Sequence, residues 1–273
     1  MNRRNFIVLG GAALTAGGMK VRAQETDSAR SATASGSARG VLTRLLGGRA
    51  DDFDLTWIPL HEGHEVYEIS ASHGRIHLKG SSGVALCRGA YSYLREACDA
   101  MVTWSGQNLN LPAKFPDFRE QRVVCPYEYV QYYNPCTFGY STPFWNWERW
   151  QREIDWMALH GITMALALEG QEAIWQRIWL RMGITQEELD HSSTGPAYLP
   201  WHRMGNLDNF VGPLPQGWID KKRLLQKSII GRMRDLGIAP VVPGFSGFVP
   251  QGLKRVLPQA KTYTGLWNSQ VPR

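Results

Sequence analysis

The second half of the chain alternates helical and strand-type hydrophobic patterns, and this rhythm restricts the possible folds more than any other feature. Trp147, Trp150, Ile154 and Met157 recur at helical spacing, and Gly161 follows where a helix end favours a left-handed residue. Residues 162–168 are a short, continuously apolar run, the pattern of a strand buried on both faces. Leu225, Ile229, Met233 and Leu236 mark a longer amphipathic helix, opened by Asp220 and closed by Gly237, and 238–242 is the next buried run. Between them, 173–182 reads as a helix, and Thr185 with Glu188 three residues on is a capping-box signature for another. Residues 127–133, rich in Tyr and Val, read as a strand ending at Asn134-Pro135, and 262–267 as a fourth strand. Parallel strands need crossovers, and here the crossovers are helical. The expected fold class is α/β: a small N-terminal α/β domain, then an incomplete (β/α) TIM-type barrel over 117–273. A closed barrel takes about 250 residues, and three or four strands cannot close one.

Upstream, 41–116 suits the small α/β domain. Leu42, Leu45 and Leu46 mark a short helix, while 53–58 and 66–71 alternate as strands. Residues 75–79 pair with the second strand through a His73-Gly74 turn. Residues 84–97 form a helix, 101–104 a returning strand, and 112–116 the domain boundary. Residues 24–40, rich in Ser, Ala, Thr and Gly, read as a disordered linker. Residues 1–23 read as an export signal: a twin arginine (Arg3-Arg4), an apolar run too short to span a bilayer, and a possible cleavage site at Ala23. The protein is therefore expected to be exported, periplasmic or extracellular, with no membrane association beyond that signal. Setting aside Arg3, Arg4, Lys20 and Arg22 lowers the formal charge from +6 to +2, which argues against a nucleic-acid partner. Four cysteines permit three disulfide pairings. Cys87 and Cys98 fall at opposite ends of one helix, about 16 Å apart, and Cys125 and Cys136 flank an extended stretch, so free thiols are expected.

In a barrel of this type, working residues sit at the C-terminal ends of strands. The expected contributions are Asn134, Cys136 and Thr137 from the first strand, and Glu169, Gln171 and Glu172 from the second. The third delivers Phe245, Ser246 and Phe248, and the fourth Trp267 and Asn268. Amides, hydroxyls and aromatic rings together suit a sugar. Trp147, Trp150 and Trp156 lie in a helical pattern and are expected to pack in the core, whereas Trp201 and Trp218 lie in a long Pro/Gly-rich loop, where aromatics more often meet ligands. Glu169 is a candidate for catalysis or substrate binding, while Glu172 has a structural reason to occupy a helix start. Other readings fail on spacing: the Gly244–Phe248 segment lacks the last glycine of a serine-hydrolase elbow, and His61-Glu62-Gly63-His64 is too tight for a zinc-protease pair.

Several segments resemble the α-N-acetylglucosaminidases, a glycoside hydrolase family. These are Tyr132-Tyr133-Asn134-Pro135-Cys136-Thr137, Trp147-x-Arg149-Trp150, Gly170-Gln171-Glu172-Ala173-Ile174-Trp175-Gln176, Thr194-Gly195-Pro196-Ala197, Trp201-x-Arg203-Met204-Gly205-Asn206 and Gly212-Pro213-Leu214-Pro215. Gly80-Ser81-Ser82-Gly83-Val84 resembles the family's N-terminal domain. The resemblance implies exo-hydrolysis of terminal α-linked N-acetylglucosamine from glycans, with retention and without metal or cofactor. It implies substrate-binding roles for Asn134, Cys136, Trp201 and Trp267. It also implies two catalytic glutamates on later strands, the acid/base after an asparagine. The chain has no Asn-Glu dipeptide, so both are expected beyond Arg273. Glu169 departs from the family's usual uncharged residue. The alternative is a non-catalytic sugar-binding remnant.

Overall fold

The computed structural model describes residues 27–242, 244, 249–264 and 270–272. The proposed export signal, and with it Phe245, Ser246, Phe248, Trp267 and Asn268, lies outside these residues.

The first described element is helix α1, Asp27–Leu46, which corrects the expectation of a disordered linker over 24–40. Its buried residues are Ala34, Ser37, Ala38, Val41 and Leu42, spaced as one helical stripe. The same small side chains that imitate a linker in composition let a second helix approach closely. Strands β1 (Phe53–Trp57), β2 (Val66–Ser72) and β3 (Arg75–Gly80) follow, with the β2–β3 hairpin turning at His73-Gly74. In β3, Ile76, Leu78 and Gly80 are buried and alternate with exposed residues. Helix α2, Gly83–Cys98, is opened by Ser82, whose hydroxyl accepts from the Ala85 amide, and closed by Asp99 in the left-handed region. A short hairpin, β4 (Met101–Val102) with β5 (Gln107–Asn108), precedes β6 (Phe118–Val124).

The four-stranded sheet runs in the order β1-β3-β2-β6, with β1 parallel to β3 and the other pairs antiparallel. Strand β6 lies beyond the expected boundary at Pro116, so the N-terminal sheet is complete only at Val124. From beyond that boundary the chain returns to pair with β2.

The barrel region opens with β7 (Gln131–Tyr132) and helix α3 (Pro135–Gly139). Helix α4 (Trp147–Leu159) leads to β8 (Met164–Leu166). Then come α5 (Gln171–Arg181), α6 (Gln186–Ser192), α7 (Leu199–Arg203) and α8 (Gln216–Leu236), which delivers β9 (Ala239–Val241). The capping box at Thr185 and Glu188 is formed in full. Helix α8 begins at Gln216, a turn before Asp220. Strands β7, β8 and β9 form a parallel sheet in that order. After helix α9 (Leu253–Val256), β10 (Thr262–Thr264) pairs antiparallel with β11 (Gln270–Pro272) and, among the described residues, does not join the parallel sheet as the expected fourth strand over 262–267 would.

Helices α1 and α2 cover one face of the first sheet and pack on α4 and α8, which cover the second. One apolar core runs through both regions, from Ala34 to Ile238. Where the helices meet, a Cβ on Gly83 would lie 2.6 Å from Ser37 Oγ and 3.0 Å from the Leu236 backbone, so only glycine fits. Buried Asp155 on α4 ties the seam, accepting from Arg44 of α1 at 2.9 Å and from Arg232 of α8 at 3.0 Å. The four cysteines are free thiols.

Candidate functional site

Two strand ends of the parallel sheet build the site. Past β7 the chain turns at Tyr133, whose φ of +92° is a strained conformation for an aromatic residue. Asn134 follows, and its side-chain oxygen accepts the Cys136 amide at 2.8 Å, a local turn that starts α3. Past β8, Ala167 and Leu168 lead to Glu169 and then to Gly170 at φ +71°. A Cβ on Gly170 would approach the Lys222 carbonyl oxygen to 2.7 Å, so glycine is required both for the turn and for the contact with α8.

Above these ends lies a small pocket, lined by Tyr133, Asn134, Phe138, Gly139, Thr142, Trp150, Leu166, Leu168, Glu169 and Arg203. Glu169 is 1% exposed. Its Oε1 lies 3.5 Å from Arg203 Nη1 and its Oε2 lies 3.1 Å from Lys222 Nζ. Arg203 also grips Glu172 through two hydrogen bonds, of 2.8 and 3.2 Å. Lys222 donates to the carbonyls of Thr142 and Trp145 at 3.3 and 3.1 Å. Two buried acids and two buried bases therefore balance. For Arg203, burial works against the charge, but Glu172 and then Glu169 outweigh it and hold the guanidinium above its usual range. His202 beside it is pushed down by burial, against the pull of Glu172.

Two buried polar atoms on this cavity's lining residues carry no aligned hydrogen bond, Trp150 Nε1 and Glu169 Oε2, the latter held only by its ion pair with Lys222, while the Tyr133 hydroxyl lies near the Glu153 carboxylate. Burial, and then the nearby Glu153 charge, raise the Tyr133 phenol far above its usual value, so it stays protonated and able to donate.

Of the residues expected to act, the structure brings two to one cavity. Asn134 and Glu169 share the cavity. The Cys136 thiol donates to Met204 Sδ at 3.5 Å, linking the first strand end to the residue after α7. Trp201 lies on α7 with Arg203, half-buried, its ring edge-to-face with Tyr140 at 6.2 Å. Glu172 is occupied by Arg203, in line with its structural reading. Trp150 is 2% exposed, and Trp147 and Trp156 pack on the main core, as their helical spacing indicates. Trp218 packs partly buried against the small cluster of Leu199, Leu214 and Ile219. Among the described residues, no group of three or more potential ligands could hold a metal.

Sequence reasoning gave no role to Arg203, Lys222 or Tyr133. The signal for Lys222 was present: it interrupts the buried stripe Ile219, Ile229, Met233, Leu236 of α8 at helical spacing. A lysine in such a stripe needs a buried acid.

Residues 131–272 match the TIM-barrel domain of the alpha-N-acetylglucosaminidase family, and residues 36–117 match that family's N-terminal domain. Human alpha-N-acetylglucosaminidase is 44% identical over 248 residues, covering 88% of this chain and 33% of the human protein. A family 89 glycoside hydrolase from Clostridium perfringens, solved with 2-acetamido-1,2-dideoxynojirimycin, superposes with a TM-score of 0.85 at 30% identity. The match covers 90% of this chain and 29% of that one. The same enzyme with two glutamates replaced by glutamine, bound to its substrate GlcNAc-alpha-1,4-galactose, superposes equally well. The chain thus spans about a third of the length of the relatives it matches.

Proposed function

The chain belongs to the alpha-N-acetylglucosaminidase family, and on that premise we propose that it forms the sugar-holding first part of an exported enzyme that removes terminal α-linked N-acetylglucosamine from glycans with retention. The cavity at the ends of β7 and β8 carries this reading: it is lined by Asn134, Glu169 and Arg203 beside Tyr133 and Trp150, and the buried Trp150 Nε1 and Glu169 Oε2 carry no aligned hydrogen bond. A sugar hydroxyl both donates and accepts, so a sugar edge pairs such atoms where an apolar ligand cannot. Asn134, Cys136, Trp201 and Trp267 hold the sugar, with Trp201 offering a ring face. The N-terminal twin arginine and apolar run support export. Among the described residues, no helix is long and apolar enough to cross a membrane.

Retention requires a proton donor and a nucleophilic carboxylate about 5–5.5 Å apart. Glu169 and Glu172 are each engaged by buried cations, and this favours their holding the pocket together rather than cleaving the bond. We therefore assign the catalytic pair to other glutamates, outside this chain. The 273-residue chain is expected to bind N-acetylglucosamine and to release none from an aryl α-glycoside. Release by this chain, abolished by Glu169→Gln, would overturn the assignment.

A further inference from the structure

Glu169 does more than balance charge. Glu169 lines the cavity it shares with Asn134. Oε1 receives the Arg203 hydrogen bond. Oε2 faces Lys222 Nζ at 3.1 Å, yet no aligned hydrogen bond ends on it. An ionised carboxylate has about four lone-pair sites, so acceptor capacity remains on a group that is 1% exposed. Such a group cannot swing to find water. Arg203 fixes one side and Lys222 the other, and Lys222 is itself pinned by the carbonyls of Thr142 and Trp145. The acceptor is therefore oriented before any ligand arrives, and binding spends no entropy on ordering it. Tyr133, strained at φ +92°, and Trp150 line the same cavity.

We propose that Glu169 is a specificity-determining residue of the sugar pocket: held between Arg203 and Lys222, its carboxylate accepts a hydrogen bond from one hydroxyl of the terminal N-acetylglucosamine and selects sugars that carry that hydroxyl. This rests on reading the cavity as the N-acetylglucosamine site. A site built to pair a substrate hydroxyl rejects the analogue without it, because the buried acceptor is then left unpaired.

The test is calorimetric titration of the 273-residue chain with N-acetylglucosamine and its singly deoxygenated analogues, one for each hydroxyl that a terminal residue leaves free. One analogue is expected to bind roughly ten-fold or more weaker than the parent sugar. In the double variant Glu169→Met/Lys222→Met, which removes the acid with its buried partner, that difference is expected to vanish. Glu169→Gln keeps an uncharged acceptor of the same shape and is expected to show an intermediate ratio. Equal binding of all analogues to the parent chain overturns the proposal, as does an unchanged ratio in either folded variant, while the sugar-pocket reading survives. No binding of N-acetylglucosamine by the parent chain overturns both.

Discussion

Under the four-stranded sheet the buried volume is filled by Phe53, Ile76, Leu86 and Tyr93, whereas at the strand ends of the parallel sheet it holds Glu169, Glu172, Arg203 and Lys222. In the first region the aromatic rings of Phe53, Tyr93 and Phe115 meet edge to face at 5.5 to 6.2 Å. Apolar burial is non-directional and scales with area, so that region is stabilised by volume and shape. The charged cluster gains little net stability, because desolvation offsets most of its attraction. Its contribution is geometric: each ion has one arrangement that satisfies the others. The N-terminal region is thus built to be stable, and the barrel region's strand ends are built to hold particular atoms in place.

The sharpest way to break this contrast is Arg203→Met. It leaves two buried carboxylates facing one lysine, and it is expected to cost about 3–5 kcal/mol. Chemical unfolding would measure this, and a loss under 1 kcal/mol would mean that the cluster is not a unit. Adding Glu172→Gln to that variant is expected to recover part of the loss, since Glu169 then remains paired with Lys222 and no acid is left without a cation.

Leu86→Ala tests the other side. Leu86 is fully buried between α2 and the sheet, and truncation is expected to cost about 2–5 kcal/mol. Here a second substitution should not rescue it, because the loss is a cavity rather than an unpaired group.

Gly83→Ala strikes the seam between the regions. The added methyl meets Ser37 and the Leu236 backbone, and is expected to cost about 1–3 kcal/mol by overpacking. Ser37→Ala in the same chain, which removes the nearest atom, should return part of it.

The smallest effect is a pH dependence. His160, at the end of α4, stacks on Trp156 with ring centres 4.1 Å apart, and burial lowers its pKa, with Arg88 and Arg95 adding to the effect. Burial lowers His202 as well. The folded state prefers both neutral, whereas the unfolded chain takes up protons near pH 6.5. Their contribution is complete above about pH 6.5 and lost as the pH falls toward their folded values. Thermal melting is expected to drop between pH 7.5 and 5, with a shallower slope in His160→Gln. An unchanged slope there and a shallower one in His202→Gln would place the effect beside the charged cluster, at His202, rather than at the end of α4.

Most elements were legible in the chain itself, because their signals are local. Alternation in 75–80, the helical stripe of Trp150, Ile154 and Met157, and the capping box at Thr185 depend on neighbours within a few residues. Where the reading failed, the deciding contacts were distant. Helix α1 looked like a linker because Ala34, Ser37 and Ala38 bury little area alone, and their value appears only when α2 packs against them. Strand β6 is mostly exposed, with only its end residues partly buried, and it becomes a strand by completing β2.

For the site, the amino-acid sequence by itself determined the order of helices and strands, and so which residues stand at strand ends: Asn134 after β7 and Glu169 after β8. Only the tertiary structure decided what those residues meet. Arg203 and Lys222 arrive 34 and 53 residues after Glu169, from α7 and α8, and nothing in local spacing pairs a carboxylate with cations so far along the chain. Local pattern dictates secondary structure because its forces act over one or two turns. A buried charge depends on whatever the completed fold sets around it.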